Sequence, residues 1–133
     1  MRKDTWDVDL MKFIQSRSKT PFQWGEHDCT LFAADCAKVM TGIDLAEKYR
    51  GYSTETGAAL IIGRAGSLRN LINETLSESE ISPKMARRGD WILFDNEGAE
   101  AVGVCVGTMF TAAGKEGLVM RKMSDAITVW RID

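Results

Sequence analysis

Asp28-Cys29 is the point in this chain where covalent chemistry could occur. Cysteine attacks as a thiolate, so a nucleophilic thiol needs surroundings that favour negative charge, and a helix amino terminus supplies unpaired N–H donors and a positive dipole. Asp28 is a natural N-cap, and the run after it carries Cys29, Phe32, Ala33, Cys36 and Met40 on one apolar face. That pattern predicts a buried helix that opens at the cysteine and ends at Gly42. A thiol that cleaves acyl bonds also needs a general base to take its proton and return it to the leaving group. The single histidine, His27, lies across the capping turn from Cys29. This is an awkward place for a base, although a Cα separation of up to ~7 Å permits contact. His27 therefore reads as a base, as a surface or capping-region residue whose ring bonds nearby backbone or carboxylate, or as a partner contact. Cys29 reads either as a nucleophile or as a small apolar residue in a core position.

The other reactive side chains read more simply. Cys36 and Cys105 lie in apolar stretches and predict core thiols. Three cysteines cannot all pair within the chain, so reduced thiols fit better than a disulfide framework. His27, Cys29 and Cys36 have no recognised zinc spacing, and neither a metal nor another cofactor is expected. Gly114-Lys115-Glu116-Gly117 lacks the length and the Ser or Thr of a phosphate loop and predicts a turn between strands. Lys84, Arg87 and Arg88 form a small basic cluster before Gly89-Asp90, read as a solvated turn or as a contact for an acidic partner.

One domain must hold these residues. A length of 133 with 44% apolar residues suits a single core spanning 1–133. Lys plus Arg number 17 against 19 Asp plus Glu, and the net charge of −2 offers no broad cationic field to a phosphate backbone. Nucleic acid is therefore not an expected partner. Met1 to Asp7 lacks the apolar stretch of a secretory signal, and no apolar run approaches the ~20 residues that span a bilayer.

Trp6, Leu10, Phe13 and Ile14 recur at helical spacing behind Asp4 or Thr5 as caps, predicting a first helix that ends before Pro21. Ser53 or Thr54 opens a further helical stretch, broken at Gly66-Ser67 into two short helices. Ser77-Glu78-Ser79-Glu80 reads as a polar connection. Beyond Pro83 the period becomes extended, and Trp91 to Phe94, Ala101 to Val106, Met109 to Ala112, Gly117 to Lys122 and Ile127 to Arg131 predict strands. Helices first and an antiparallel sheet of about five strands second make an α+β fold. Trp6, Trp130 and Tyr52 read equally as core or as contact residues.

Three ordered segments carry a family resemblance. Phe22-Gln23-Trp24-Gly25-Glu26-His27-Asp28-Cys29-Thr30-Leu31-Phe32 sets a Trp-Gly shortly before an Asp-Cys that opens a helix. Arg88-Gly89-Asp90-Trp91-Ile92-Leu93-Phe94 and Ala101-Val102-Gly103-Val104-Cys105-Val106-Gly107 follow. Together they resemble the NlpC family of papain-like cell-wall peptidases from roughly Phe22 to Ala113. The resemblance implies a papain-like fold with amino-terminal helices on a carboxy-terminal sheet, and Cys29 at the nucleophile position. It puts the general-base histidine at Ala101 and the polar third member near Thr111 or Ala112. Trp24, Gly25, Asp28, Gly89, Asp90 and Gly103 match the family's motifs and read as structural. Trp24 packs its loop against the sheet, Gly25 permits a turn with φ > 0, and Asp90 bonds backbone at a strand entrance.

A narrower group is similar over more of the chain: small phage proteins encoded among tail-tip genes. Trp24 to Cys29, Arg50 to Ser53, Ala101 to Cys105 and Trp130 to Ile132 carry that likeness. The implied function is a non-catalytic structural component of a phage or phage-like tail tip, docking on tail-tip or hub proteins. It would be made in the host cytoplasm and then reside in the virion. The alternative is an active cysteine hydrolase that cuts murein peptide or amide bonds during phage entry, with His27 or a partner's residue completing the site. A third use of the fold is as a binding module that inhibits a protease or acts on the host. Loss of a base costs acyl transfer several orders of magnitude where the site acts as a unit, so the missing histidine favours a protein that is not an enzyme.

Overall fold

Helical spacing gives way to short extended runs beyond Pro83, and the architecture follows that change. The computed structural model describes residues 1–77 and 79–133, and Glu78 of the polar connection lies outside them. Four α-helices precede all six strands of an antiparallel sheet among the described residues, an α+β arrangement. None of these helices is long and apolar enough to cross a membrane.

α1 spans Trp6–Arg17 and buries Leu10. Thr5 occupies its N-cap position, but the hydroxyl donates to Asp9 instead of receiving a helix N–H. Asp7 and Asp9 face the dipole in the first turn. α2 spans Cys29–Thr41, with the Asp28 carboxylate accepting from the Leu31 N–H and Gly42 ending it at φ 85°. Leu31, Phe32, Ala33, Ala34, Cys36, Ala37 and Met40 are buried along it, so this helix forms the centre of the core. Leu31, Phe32 and Met40 each contribute about 1.5–3 kcal/mol on leaving water. α3 (Glu55–Ala65) and α4 (Leu68–Thr75) are capped by Thr54 and Ser67, whose hydroxyls accept from Gly57 and Asn70.

The strands are β1 (Glu80–Ile81), β2 (Trp91–Asn96), β3 (Ala99–Cys105), β4 (Met109–Gly114), β5 (Gly117–Lys122) and β6 (Ala126–Trp130). Their spatial order is β1-β6-β2-β3-β4-β5. The short β1 was not expected, since Glu80 read as part of a polar connection. It pairs with Trp130, while its carboxylate accepts from Arg69 and Asn73 of α4. Two residues are too few for alternation to register. β2 and β3 also reach farther than the alternation indicated, because Glu97 and Gly98 both adopt positive φ, 54° and 93°, and close a tight hairpin turn.

Alternation sorts the sheet into two faces. Trp91, Leu93, Val102, Val104 and Trp130 join the cluster under the helices. Ile92, Phe94, Ala101, Cys105, Phe110, Ala112 and Val129 form a second cluster, flanked by Ile81, Ala86, Met123 and Ala126. Cross-strand partners agree with this sorting: Phe94 faces Ala101, Cys105 faces Phe110, and Ile92 faces Val129. Cys29, at the first position of α2, packs against both clusters.

Candidate functional site

The loop that delivers Cys29 is held by a single carboxylate. Asp28 is buried, and its Oδ1 accepts from the Leu31 N–H and the Thr30 hydroxyl, each at 2.9 Å. Its Oδ2 accepts from the Gly25 N–H at 3.1 Å and from the Tyr52 hydroxyl. Both oxygens are therefore engaged in fixing the turn, and none of these bonds reaches the sulfur. Tyr52 comes from the Arg50-Gly51-Tyr52-Ser53 stretch, which is anchored in turn by Arg50 on Asp35 and Asp44, both at 2.7 Å. Burial first, and the bond to Asp28 second, push the Tyr52 phenol well above its ordinary range, so it stays protonated.

Gly25 has φ 81°, as the turn expectation required. A side chain there would also place Cβ 2.0 Å from the Tyr52 carbonyl oxygen, so the glycine admits the close approach of the Tyr52 segment. Trp24 pairs with Phe22, edge-on at 4.8 Å. Backbone joins this loop to the sheet, from the Phe22 N–H to the Gly114 carbonyl at the end of β4.

Cys29 keeps partial exposure, yet its thiol behaves as a buried group. Burial pushes it up to about 11; the Val102 N–H pulls it down by less, and the Asp28 charge adds to the rise. Ala101, the residue before Val102, is buried in the second cluster against which Cys29 packs. The position that the resemblance assigns to the base thus lies in the apolar cluster that touches the thiol, and it carries a methyl group. Thr111 and Ala112 supply no orienting group: the Thr111 hydroxyl donates to the Val119 carbonyl on β5 at 2.9 Å, and Ala112 lies in the same apolar cluster as Ala101.

His27 directly precedes the α2 cap, but its ring is buried and not on the surface. It is 4% exposed and edge-on to Phe32, with ring centroids 5.5 Å apart, and Phe32 stacks in turn on Phe13 of α1. Its backbone is paired both ways with Gln23, which aims the ring at Phe32. Nε2 has no hydrogen-bond partner. Burial first, then the nearby Arg17 charge, lower its pKa against the pull of Asp35 and Asp28. Among the described residues no hydrogen bond joins this ring to Cys29. No three His, Cys, Asp or Glu side chains among the described residues are grouped to hold a metal ion.

The remaining motif residues form a second knot. Asp90 is fully buried and does bond backbone as expected, accepting from Arg87 N–H at 2.9 Å and Ile132 N–H at 3.2 Å. It also takes two guanidinium groups that were not foreseen, Arg2 at 3.0 Å on Oδ1 and Arg131 at 2.9 Å on Oδ2. Gly89 donates its N–H to the Cys105 carbonyl and leaves room for Met40. Gly103 sits where a Cβ would fall 2.7 Å from the Thr111 carbonyl, so β4 can lie close against β3. Cys36 and Cys105 are buried core thiols.

Fold and site together define a class: an α+β protein that presents a cysteine at a helix amino terminus with an alanine, not an ionisable base, in the cluster beside it. The chain belongs to the family described as "Domain of unknown function (DUF6950)", which matches residues 1–132. No curated protein matches it.

Proposed function

We propose that this protein is a non-catalytic domain of papain-like, NlpC-type fold that works by docking, as a structural component of a phage or phage-like tail tip. The observation that carries this reading is the apolar surrounding of Cys29. Ala101 lies in the cluster that the thiol packs against, while the one histidine is turned to Phe32 with its Nε2 unpartnered. A thiol pushed up to about 11 is protonated near neutral pH and cannot attack without a base to take its proton. The motif residues instead stabilise the fold: Asp28 ties the Cys29 turn to Tyr52, and Asp90 ties the strand entrance to Arg2 and Arg131. The order of helices and antiparallel strands, and the nearness of Cys29 to the Ala101 strand, support the NlpC-type fold. The tail-tip setting rests on the sequence likeness of the Trp24 to Cys29, Arg50 to Ser53, Ala101 to Cys105 and Trp130 to Ile132 segments, and it implies assembly in the host cytoplasm before residence in the virion.

Purified protein and its Cys29→Ala variant, incubated with murein peptides and analysed by mass spectrometry, test this reading. The expected result is no cleavage product from either form. Turnover that Cys29→Ala abolishes would overturn it and establish the hydrolase alternative.

A further inference from the structure

Away from Cys29, the segment leading into α1, the loop before β2 and residues after β6 border an open groove of about 680 Å³. Arg2, Lys3, Arg87, Arg88 and Arg131 line it beside the indole of Trp6, and Asp4 and Asp133 also border it. Arg2 and Arg131 are rigidly placed. Arg2 donates to the Ile132 carbonyl, the Arg88 carbonyl and Asp90, and its guanidinium lies 4.3 Å from the centre of the Trp6 ring. Arg131 donates to Asp90 and to the Met85 carbonyl. A guanidinium has five N–H donors, so each arginine keeps donors that these bonds do not use.

The charge here is unbalanced. Two guanidinium groups share the one buried carboxylate of Asp90, and among the described residues Lys3, Arg87 and Arg88 form no ion pair at all. Arg87 and Arg88 are exposed. The crowding acts on Arg2, whose pKa is lowered by burial first, with Asp90 and Asp133 opposing and Arg131 and Arg87 adding repulsion. A cationic groove in a chain of net charge −2 is a local feature and not a spread of basic surface.

We propose that this groove binds an acidic peptide segment of a partner protein, with its carboxylates on Arg87, Arg88 and the unused donors of Arg2 and Arg131, and an apolar side chain against Trp6. Asp90 already demonstrates how a carboxylate is gripped between Arg2 and Arg131. An extended polyanion is the poorer occupant, because the groove is bordered by Asp4 and Asp133 and the molecule as a whole repels it. The assignment rests on the docking reading, since it names the surface that docks.

Fluorescence anisotropy with a short fluorescein-labelled Glu-rich peptide carrying one Leu tests it, beside a Gln-for-Glu counterpart and a single-stranded oligonucleotide of equal charge. The Glu peptide should bind saturably, weaken with salt, and lose about tenfold or more in affinity on Arg87→Glu with Arg88→Glu, which corresponds to about one charge-assisted contact. Circular dichroism and the thermal midpoint should stay unchanged in that variant, and Lys3→Glu provides a second reversal on a different segment. Absence of binding, equal binding of the Gln peptide, equal binding by both charge-reversed forms, or tighter binding of the oligonucleotide overturns the proposal. Those outcomes leave the non-catalytic reading standing, which only murein turnover through Cys29 removes.

Discussion

The Tyr52 hydroxyl and the Gly25 N–H converge on one atom, Oδ2 of Asp28. The residue that caps α2 therefore also fastens the Tyr52 segment across the Cys29 turn. The Asp-Cys pair looks like a catalytic device in sequence, but its acid is engaged in holding the turn.

Replacing Tyr52 by Phe removes one donor to a buried carboxylate and should cost about 1.5–3 kcal/mol. Asp28→Ala should cost more, because the α2 cap and the Gly25, Thr30 and Tyr52 bonds go together. Urea denaturation of both variants and the double variant measures the coupling. Additive losses would show that the Tyr52 bond carries no stability.

Gly25→Ala should destabilise more than Gly51→Ala. Both glycines have positive φ, 81° and 119°, so each replacement incurs backbone strain of about 1–3 kcal/mol. Only at Gly25 does the new Cβ meet an atom, the Tyr52 carbonyl oxygen at 2.0 Å, whereas nothing lies within 4 Å at Gly51. Equal thermal midpoints for the two variants would contradict the close-approach argument.

The Cys29 thiol should be sluggish. A thiol near 11 holds about two orders of magnitude less thiolate at neutral pH than an ordinary one near ~8.5. Iodoacetamide labelling of the native protein, located by peptide mass spectrometry, should therefore modify Cys29 far more slowly than glutathione and accelerate as pH rises toward the thiol's own pKa. Rapid labelling at neutral pH, saturating well below that value, would indicate an activated nucleophile.

His27 should give the protein an acid-sensitive step. Its folded pKa lies below the unfolded value of about 6.5, so the unfolded chain takes up the proton first as pH falls. Stability is then complete above about pH 6.5 and declines as pH drops through it. Asp44, held low by its bond to Arg50, and Glu80, held at about 2 by Arg69, contribute a separate loss in the more acidic carboxylate range. Thermal midpoints followed from neutral pH downward should show both declines in the wild type and only the second in His27→Leu. Identical profiles would exclude the ring as the source.

Much of the scaffold was legible because it follows from local rules. Asp28, the apolar stripe through Met40 and Gly42 fix where α2 starts, what it buries and where it stops, and the apolar run Trp91 to Phe94 falls within β2, buried on both faces. β1 escaped because Glu80 and Ile81 form a strand only through their pairing with β6. The site was less legible than the fold. Its ties are long-range: Tyr52 meets Asp28 through tertiary folding, and Arg2 and Arg131 reach Asp90 from opposite ends of the chain. No spacing rule encodes such pairs. His27 misled for the same reason, since its proximity to Cys29 in sequence does not reveal that the Gln23 pairing turns its ring to Phe32.

The place of β6 between β1 and β2 has a consequence for how the molecule is made. Until Ala126–Trp130 leave the ribosome, β1 has no partner strand and β2 presents an open edge beside Trp91 and Ile92. The nascent chain must therefore hold its helices and the β2–β5 hairpins in an unfinished state, exposed to strand pairing with neighbours. Completion comes when β6 enters between β2 and the two-residue β1 and buries Val129 and Trp130, so loss of the last few strand residues should remove the β1 pairing and core side chains together and abolish folding.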